Sequence, residues 1–128
     1  MPPPYRPDNY PAVSPYLVVD GADRTIQFLT DVLGATELRR FPDTQGYVIH
    51  AEVRLEDGVI MLGDQAEGWP ARPAHVHIYV PDVDATYQSA LDWGATSVQV
   101  PMQKDDEDKR GGVKDPGGTT WWIATRVK

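Results

Sequence analysis

The 128-residue sequence predicts an α/β (α+β) fold in which two βαβββ modules form a curved mixed eight-stranded sheet around a cavity, with the helices outside. Two observations predict this fold. The same order of elements occurs twice along the chain, and the tripeptide Gly-Ala-Thr follows both predicted helices, at 34–36 and at 94–96. A repeated element order together with a repeated helix end indicates an internal duplication.

The first module is expected over residues 13–63, after an N-terminal arm at 1–12 that contains five prolines and cannot form a helix or a central strand. A strand is predicted over VSPYLVV. Asp20 is expected to cap the helix in GADRTIQFLTDVL, and Gly34 is expected to end it in a left-handed conformation. Three strands follow, with the sequences ATELRRF, YVIHAEVRL and VIMLG, and an EDG hairpin joins the last two.

The second module is expected over residues 74–126, after a connector at 64–73 that has no periodicity. The strand HVHIYV precedes a helix over VDATYQSALDW, which Asp82 is expected to cap and Gly94 to end. The remaining strands are TSVQV, GVK and TTWWIAT, and the charged run at 104–110 is expected to be a solvated loop. The two modules together are expected to form one domain.

The composition excludes several classes of function. The absence of cysteine excludes disulfides, thiolate metal sites and thiol nucleophiles, and it fits a reducing compartment. The formal net charge of −7 disfavours nucleic acid as a partner, because 12 basic side chains against 19 acidic ones leave no surplus to neutralise phosphates. No apolar run is long enough to span a membrane and no secretory signal is recognisable, so we expect a cytoplasmic protein without a membrane partner.

Alternation along two strands separates an apolar set from a polar set. Because successive side chains of a strand point to opposite faces, the apolar residues are expected to pack under the helix of their own module. These residues are Tyr47, Ile49, Ala51, Val53 and Leu55 in the first module and Val76, Ile78 and Val80 in the second. The opposite face then carries His50, Glu52 and Arg54 in the first module and His75, His77 and Tyr79 in the second. All three histidines of the chain fall on this opposite face.

The faces with the histidines can curve toward each other and enclose a cavity, and a solvated sheet is the alternative. Trp121 is expected to lie in the core and Trp122 to face the cavity. An indole in the cavity suits stacking on a flat or cationic ligand, or else it fills the space itself. Met61 is either pocket lining or core. The predicted ligand-binding residues are His50, Glu52, Met61, His75, His77, Tyr79 and Trp122.

The sequence resembles the vicinal-oxygen-chelate superfamily, which contains glyoxalase, bleomycin-resistance proteins, fosfomycin-resistance proteins and extradiol dioxygenases. The resemblance covers about residues 13–126 and rests on the opening YLVVDGADRTIQFLTDVLGA, the HAE strand and the closing DPGGTTWWIAT. It implies a homodimer and, in the metal-dependent members, a metal held at four strand positions. Those positions fall on Ser14, Met61, His75 and Trp122. Only His75 is a competent ligand, so the chain is similar to a subgroup that lacks the usual metal ligands, and no cofactor is expected.

Three functions remain open. The first is a metal-independent protein that binds a small flat or cationic molecule, such as an antibiotic or metabolite, as the resemblance to bleomycin-resistance proteins implies. The alternative is a divalent-metal-dependent lyase, isomerase or dioxygenase of the same superfamily, or an enzyme with His75 as its general base. Its off-pattern metal site would consist of His50, Glu52, His75 and His77. The third is a domain without a ligand that acts by associating with another protein.

Overall fold

A computed structural model describes residues 3–128 and shows eight strands and two helices in the predicted order. The first module contains β1 (Tyr16–Val19), α1 (Ala22–Leu33), β2 (Thr36–Pro42), β3 (Val48–Leu55) and β4 (Gly58–Asp64). The second contains β5 (Ala74–Tyr79), α2 (Val83–Trp93), β6 (Thr96–Gln103), β7 (Asp108–Lys114) and β8 (Thr119–Arg126). The prediction of an α+β fold with two βαβββ modules is confirmed. The first two residues of the expected arm lie outside the described residues.

The eight strands form two four-stranded mixed sheets, ordered β1-β4-β3-β2 and β5-β8-β7-β6. In each sheet the strand before the helix is an edge strand that runs parallel to its neighbour, β1 to β4 and β5 to β8, and the other pairs are antiparallel. Two parallel strands cannot be joined by a tight turn, so the chain must cross over between them. In each module the helix is the first part of this crossover connection. Each helix packs on its own sheet. We call the sheet face away from the helix the open face.

The N-terminus of α1 is held by a side chain from another strand. Gly21 precedes the helix in a left-handed conformation with φ 89°. Asp64 at the end of β4 accepts hydrogen bonds from the amides of Gly21 and Ala22 at 3.1 and 2.7 Å. Its second carboxylate oxygen accepts one from the Val48 amide at 2.7 Å. The expectation that Asp20 caps α1 is therefore wrong, because the chain turns at Gly21 and Asp64 satisfies the free amides instead.

The other predicted helix ends are confirmed. Asp82 caps α2 and accepts a hydrogen bond from the Ala85 amide at 3.1 Å. Gly34 ends α1 and Gly94 ends α2, with φ of 71° and 119°, a region that side-chain-bearing residues rarely adopt. Neither helix in the described part of the chain is long and apolar enough to cross a bilayer.

The two modules share one core. A single cluster of buried residues includes both helices and helix-side residues of both sheets. Trp121 on β8 is fully buried, as expected, and its ring centroid lies 6.2 Å from that of Phe28 on α1. The Trp121 indole N–H donates to Asp115 Oδ2 at 2.8 Å, which ties the DPGG turn to the core. Burial raises the pKa of the Asp115 carboxyl, although the hydrogen bond from Trp121 opposes the rise.

The predicted alternation in β3 is broken at its start. Val48 is buried, whereas Tyr47 and Ile49 are 60% and 61% exposed, so the expectation that Tyr47 and Ile49 pack under the helix is wrong. The pairing of β3 with β2 shifts between Phe41 and Pro42, and this irregularity turns Val48 inward in place of its neighbours. From the middle of β3 onward the helix-side residues are buried as predicted.

Candidate ligand-binding faces

The predicted site residues lie on the open faces of the two sheets, in two separate groups. The first-sheet cluster consists of Tyr10, Tyr16, Arg39, Phe41, His50 and Glu52. The second-sheet cluster consists of His75, His77, Tyr79, Asp108, Arg110, Gly112 and Trp122. Within residues 3–128 no three histidine or carboxylate side chains come close enough to hold a metal ion. A single chain therefore does not bring together the four residues of the alternative metal site.

Glu52 is the centre of the first-sheet cluster. It is only 7% exposed, and the strand register places it between Met61 on β4 and Arg39 on β2. The Tyr10 hydroxyl donates to Glu52 Oε1 at 2.5 Å, and Arg39 Nε lies 3.2 Å from the same oxygen. His50 Nε2 lies 2.8 Å from Oε2. These three partners offset the cost of placing a carboxylate in so buried a position.

The charge of Glu52 is stabilised by these partners. Burial, the largest single effect, would raise the pKa of Glu52, but the hydrogen bonds from His50 and Tyr10 lower it. The positive charge of Arg39 acts in the same direction, so the pKa of Glu52 lies below its usual range. The hydrogen bond to Glu52 in turn raises the pKa of the Tyr10 phenol. At neutral pH Glu52 is therefore a carboxylate and Tyr10 keeps its proton.

His50 lies between two aromatic rings on the open face. Its ring centroid is 5.6 Å from that of Tyr16 and 6.1 Å from that of Phe41, with ring planes inclined by 30° and 29°. Phe41 pairs directly with His50 across β2 and β3, which explains the second contact. The Tyr16 hydroxyl lies 3.3 Å from His50 Nδ1. Half-buried Met61 pairs with Tyr16 on β1 and extends the same surface.

Trp122 lies on the open face of the second sheet, next to Gly112 and His75. Its indole covers Gly112 on β7, where an added Cβ would lie 2.7 Å from the indole Cζ3. The indole plane is within 10° of the His75 ring plane, and the two centroids are 6.2 Å apart. The Trp122 N–H donates to His75 Nδ1 at 3.1 Å. The opposite placement of Trp121 and Trp122 agrees with the period-two prediction.

A network of charged and polar groups adjoins His77 on the same face. Arg110 Nε donates to His77 Nε2 at 3.0 Å, and Arg110 Nη2 donates to Asp108 Oδ2 at 2.8 Å. The Tyr79 hydroxyl donates to this same Asp108 oxygen at 2.6 Å. Burial, and then the positive charge of Arg110, lowers the pKa of His77, so the ring is neutral at pH 7.

The donors around two imidazoles define which nitrogen carries the proton. An indole N–H and a guanidinium N–H can only donate, so His75 Nδ1 and His77 Nε2 are acceptors without a proton. The N–H of each ring then lies on the other nitrogen, which is Nε2 of His75 and Nδ1 of His77. Each ring keeps one N–H group for a further partner.

The four positions at which the resemblance implies a metal do not fit one here. Ser14, Met61 and Trp122 offer a hydroxyl, a thioether and an indole, none of which is a usual ligand for zinc, magnesium, manganese or iron. At the fourth position, His75 already accepts a hydrogen bond from Trp122 at Nδ1. These residues, as placed, do not form a divalent-metal site.

A groove of about 780 Å³ lies between the modules, bounded by the β3–β4 turn and by β5. Of the predicted ligand-binding residues, His77 and Tyr79 line this groove. The others, which are His50, Glu52, Met61, His75 and Trp122, lie outside it. His75 and His77 are exposed in the single chain, and Tyr79 is 56% exposed. These three side chains of the second-sheet cluster are therefore accessible to solvent.

Sequence reasoning missed several residues of the two clusters. Asp108 is 3% exposed and begins β7, so the expectation of a solvated loop over 104–110 is wrong at its C-terminal end. The duplication offered a signal for Tyr16, because Tyr16 pairs with Met61 as His77 pairs with Trp122. Four further side chains were missed because their positions depend on the arm, a strand irregularity and the start of β7, and they are Tyr10, Arg39, Phe41 and Arg110.

Residues 11–123 match the sequence-family model of the Glyoxalase/Bleomycin resistance protein/Dioxygenase superfamily. The chain belongs to this superfamily. The resemblance seen in the sequence is thereby confirmed. An uncharacterized protein of Mycobacterium bovis is 36% identical over 129 residues, which cover 92% of this chain and 85% of that protein. An uncharacterized protein of Mycobacterium tuberculosis is also 36% identical, over 92% of this chain and 76% of that protein.

Two solved structures share the fold of this chain. TioX from Micromonospora sp. ML1 superposes with a TM-score of 0.76 at 24% identity, over 89% of this chain and 97% of that one. TnmS3, an antibiotic binding protein from Streptomyces sp. CB03234, superposes with a TM-score of 0.70 at 17% identity, over 91% of this chain and 99% of that one. At such identities the likeness concerns the fold alone.

Proposed function

We propose that this superfamily member is a metal-independent protein that binds a small flat or cationic molecule, such as an antibiotic or a metabolite. The observation that carries the proposal is the half-buried Trp122 indole, which lies against Gly112 on the open face of the second sheet. A flat indole can stack on a planar ring or attract a cation through its π face. The description of TnmS3 as an antibiotic binding protein supports this class of function.

Polar groups beside the indole supply specificity in this proposal. His75 and His77 each keep one N–H, so a planar ligand on Trp122 that carries a carbonyl or ring nitrogen can accept a hydrogen bond from them. The net charge of −7 attracts cationic ligands and repels anionic ligands as they approach the protein.

Metal independence is part of the proposal. It is supported by the hydroxyl, thioether and indole at three of the four expected ligand positions, and by the use of His75 Nδ1 and His77 Nε2 as hydrogen-bond acceptors. The proposed contribution of the histidines is therefore hydrogen bonding to the ligand.

We also propose that the protein is a cytoplasmic homodimer. Large apolar side chains are exposed on the edge strands β2 and β6, and they are Leu38, Phe41, Val98, Val100 and Met102, with exposures of 36% to 61%. Rows of apolar residues on edge strands are typical of surfaces that another chain covers. Light scattering after size exclusion measures the mass directly, and a monomer at tens of micromolar would contradict the dimer.

Ethidium, a flat aromatic cation, is a direct probe of the proposed function. We expect a saturable rise in ethidium fluorescence with the native protein, and binding at least about tenfold weaker in a Trp122→Ala variant, since one stacking contact is worth about 1.4 kcal/mol. Trp69→Ala is the matched control, because Trp69 lies on the connector and is 53% exposed. Absence of saturable binding, or an equal loss in both variants, would contradict the proposal.

Elemental analysis tests metal independence separately. Protein purified without chelators or added metal is expected to contain no stoichiometric zinc, manganese, iron or nickel, and ethidium binding is expected to survive dialysis against EDTA. A stoichiometric metal that is lost in a His75→Ala variant would overturn this part of the proposal and favour the metal-dependent enzyme.

A further inference from the structure

The N-terminal arm lies against the first-sheet cluster. Residues 3–9 are exposed, and Tyr10 is half-buried. Two side-chain hydrogen bonds connect the arm to β3. The Tyr10 hydroxyl donates to Glu52 Oε1 at 2.5 Å, and Arg54 Nη2 donates to the Asn9 carbonyl. Both β3 residues belong to the open face, so the arm covers a surface that the fold itself leaves open.

Tyr10 is unlike the other partners of Glu52. Arg39 and His50 lie on the strands of the same sheet, so their contacts are built into the module. Tyr10 instead comes from a segment outside both modules. Without the phenol, Glu52 Oε1 would keep its ion pair with Arg39 at 3.2 Å but would lose the shorter hydrogen bond from Tyr10 at 2.5 Å. That is the chemical description of a site for a hydrogen-bond donor.

The surroundings select a neutral aromatic donor. Arg39 already balances the charge of Glu52 at 3.2 Å, so a second cation would gain little Coulomb energy there. The rings of Tyr16, His50 and Phe41 form an aromatic surface next to the carboxylate. A planar ligand that carries one hydroxyl or N–H group matches both features, as the phenol of Tyr10 does.

We propose that Tyr10 is a displaceable plug, and that the first-sheet cluster binds a phenol or a comparable aromatic ring with one hydrogen-bond donor, which replaces the Tyr10 hydroxyl on Glu52. The inference rests on the proposed function only in treating the open faces as ligand-binding surfaces. It adds a ligand class for the first sheet and a means by which the chain controls access to it.

The replacement of Tyr10 by a ligand on Glu52 changes the hydrogen-bond energy little. The arm is therefore an effective competitor of the ligand. The ligand makes the same hydrogen bond that Tyr10 gives up, so the tethering of Tyr10 decides the outcome. A tethered group competes as if it were present at millimolar concentration. Prolines at positions 3, 4, 7 and 11 limit the conformational freedom that the arm gains on release. The arm therefore lowers the apparent affinity of a free ligand.

The probe for this inference is p-cresol, which is the tyrosine side chain as a free molecule. Calorimetric titration of the full chain is expected to show binding to a Tyr10→Gly variant at least about tenfold tighter than to the native protein, because the tethered competitor is gone. Toluene, which lacks the hydroxyl, is expected to bind this variant several-fold more weakly than p-cresol. The double variant with Glu52→Gln is expected to lose most of the difference between the two probes.

Tyr5→Gly is the matched control, because Tyr5 lies on the same arm and is 90% exposed. It is expected to bind p-cresol like the native protein. Equal p-cresol binding by the native, Tyr5→Gly and Tyr10→Gly proteins would overturn the inference. The inference would also be overturned if the Tyr10→Gly protein and its double variant with Glu52→Gln preferred p-cresol over toluene to the same extent.

A second readout does not depend on any added molecule. Tyr10→Phe keeps the ring and removes only the hydroxyl, and it is expected to lower the backbone heteronuclear NOE of residues 5–10 toward values of a mobile chain. An arm that stays ordered in Tyr10→Phe would overturn the role of the hydroxyl. Failure of ethidium to bind at Trp122 would contradict the proposed function on the second sheet and would leave these first-sheet results to be judged on their own.

Discussion

The indole of Trp122 and the backbone of Gly112 are in direct contact on the open face of the second sheet, and a methyl group on Gly112 would lie 2.7 Å from the indole Cζ3. The two residues pair across β7 and β8. Directly opposed residues of antiparallel strands normally meet side chain to side chain. Because Gly112 has no side chain, the indole occupies the space that a Cβ would fill, and its N–H donates to His75. The position of the indole therefore depends on both residues.

Gly112→Ala is expected to displace the indole. The new Cβ requires a shift of the Trp122 ring, which should cost about 1–3 kcal/mol of unfolding free energy and change the tryptophan emission. Urea unfolding and the emission spectrum measure these effects. Gly58→Ala is the control, since a Cβ there meets only the Leu55 carbonyl oxygen at an ordinary 3.5 Å. A Gly112→Ala variant with the stability and emission of Gly58→Ala would contradict the contact.

Arg110 is expected to hold the pKa of His77 down. Burial lowers this pKa first and the Arg110 charge lowers it further, while Asp108 and Asp106 oppose the shift. Removal of the positive charge in Arg110→Gln should therefore raise the pKa of His77, as followed by NMR titration of the imidazole protons. Lys109→Gln removes a charge from the neighbouring residue, which pairs with Asp84 on α2, and should leave the titration nearly unchanged. A fall of the His77 pKa in Arg110→Gln would be incompatible with the arrangement.

The faces of the strands could be predicted where the strands are regular. His50 and Glu52 share a face because they are two positions apart along the strand, and His75 and His77 share a face for the same reason. The local pattern also predicts the Asp82 cap and the glycine helix ends, because each depends on a few neighbouring residues.

The partners of these residues could not be predicted in the same way. Arg39 and Phe41 lie opposite Glu52 and His50 only because β2 has register irregularities, which a period-two reading does not detect. The contact between Tyr10 and Glu52 spans 42 residues and depends on where the arm docks. Such contacts are decided by tertiary packing, so the sequence pattern contains no local signal for them.

Asp64 is expected to contribute much more to stability than Asp20. Asp64 accepts hydrogen bonds from three backbone amides, two at the start of α1 and one on β3. Asp64→Ala leaves these amides without an acceptor and should lower the unfolding free energy by about 1–3 kcal/mol. Asp20→Ala, at the exposed position that sequence alone favours as the cap, should change it by no more than about 0.5 kcal/mol. Chemical denaturation of both variants decides between the two residues, and a larger loss in Asp20→Ala would refute the cap described here.

Glu52→Gln is expected to lower stability at neutral pH, and the effect should vanish in acid. The pKa of Glu52 in the folded protein lies below the ordinary value of 4.5. A carboxyl with a lowered pKa stabilises the fold at pH above its unfolded pKa, and this stabilisation is lost as the pH falls through the folded pKa. The charged hydrogen bonds of Glu52 are worth about 2 kcal/mol to stability.

The measurement is urea unfolding of the native and Glu52→Gln proteins between pH 7 and pH 3. The difference in unfolding free energy should be largest at pH 7 and should shrink progressively below about pH 4.5, as the native carboxylate takes up its proton. Glu67→Gln, at an exposed position of the connector, corrects for the general loss of negative charge. A difference that grows toward low pH would mean that the folded protein raises the pKa of Glu52. In that case burial, rather than the donors Tyr10, His50 and Arg39, would dominate at this carboxyl, and the plug would lose its electrostatic basis.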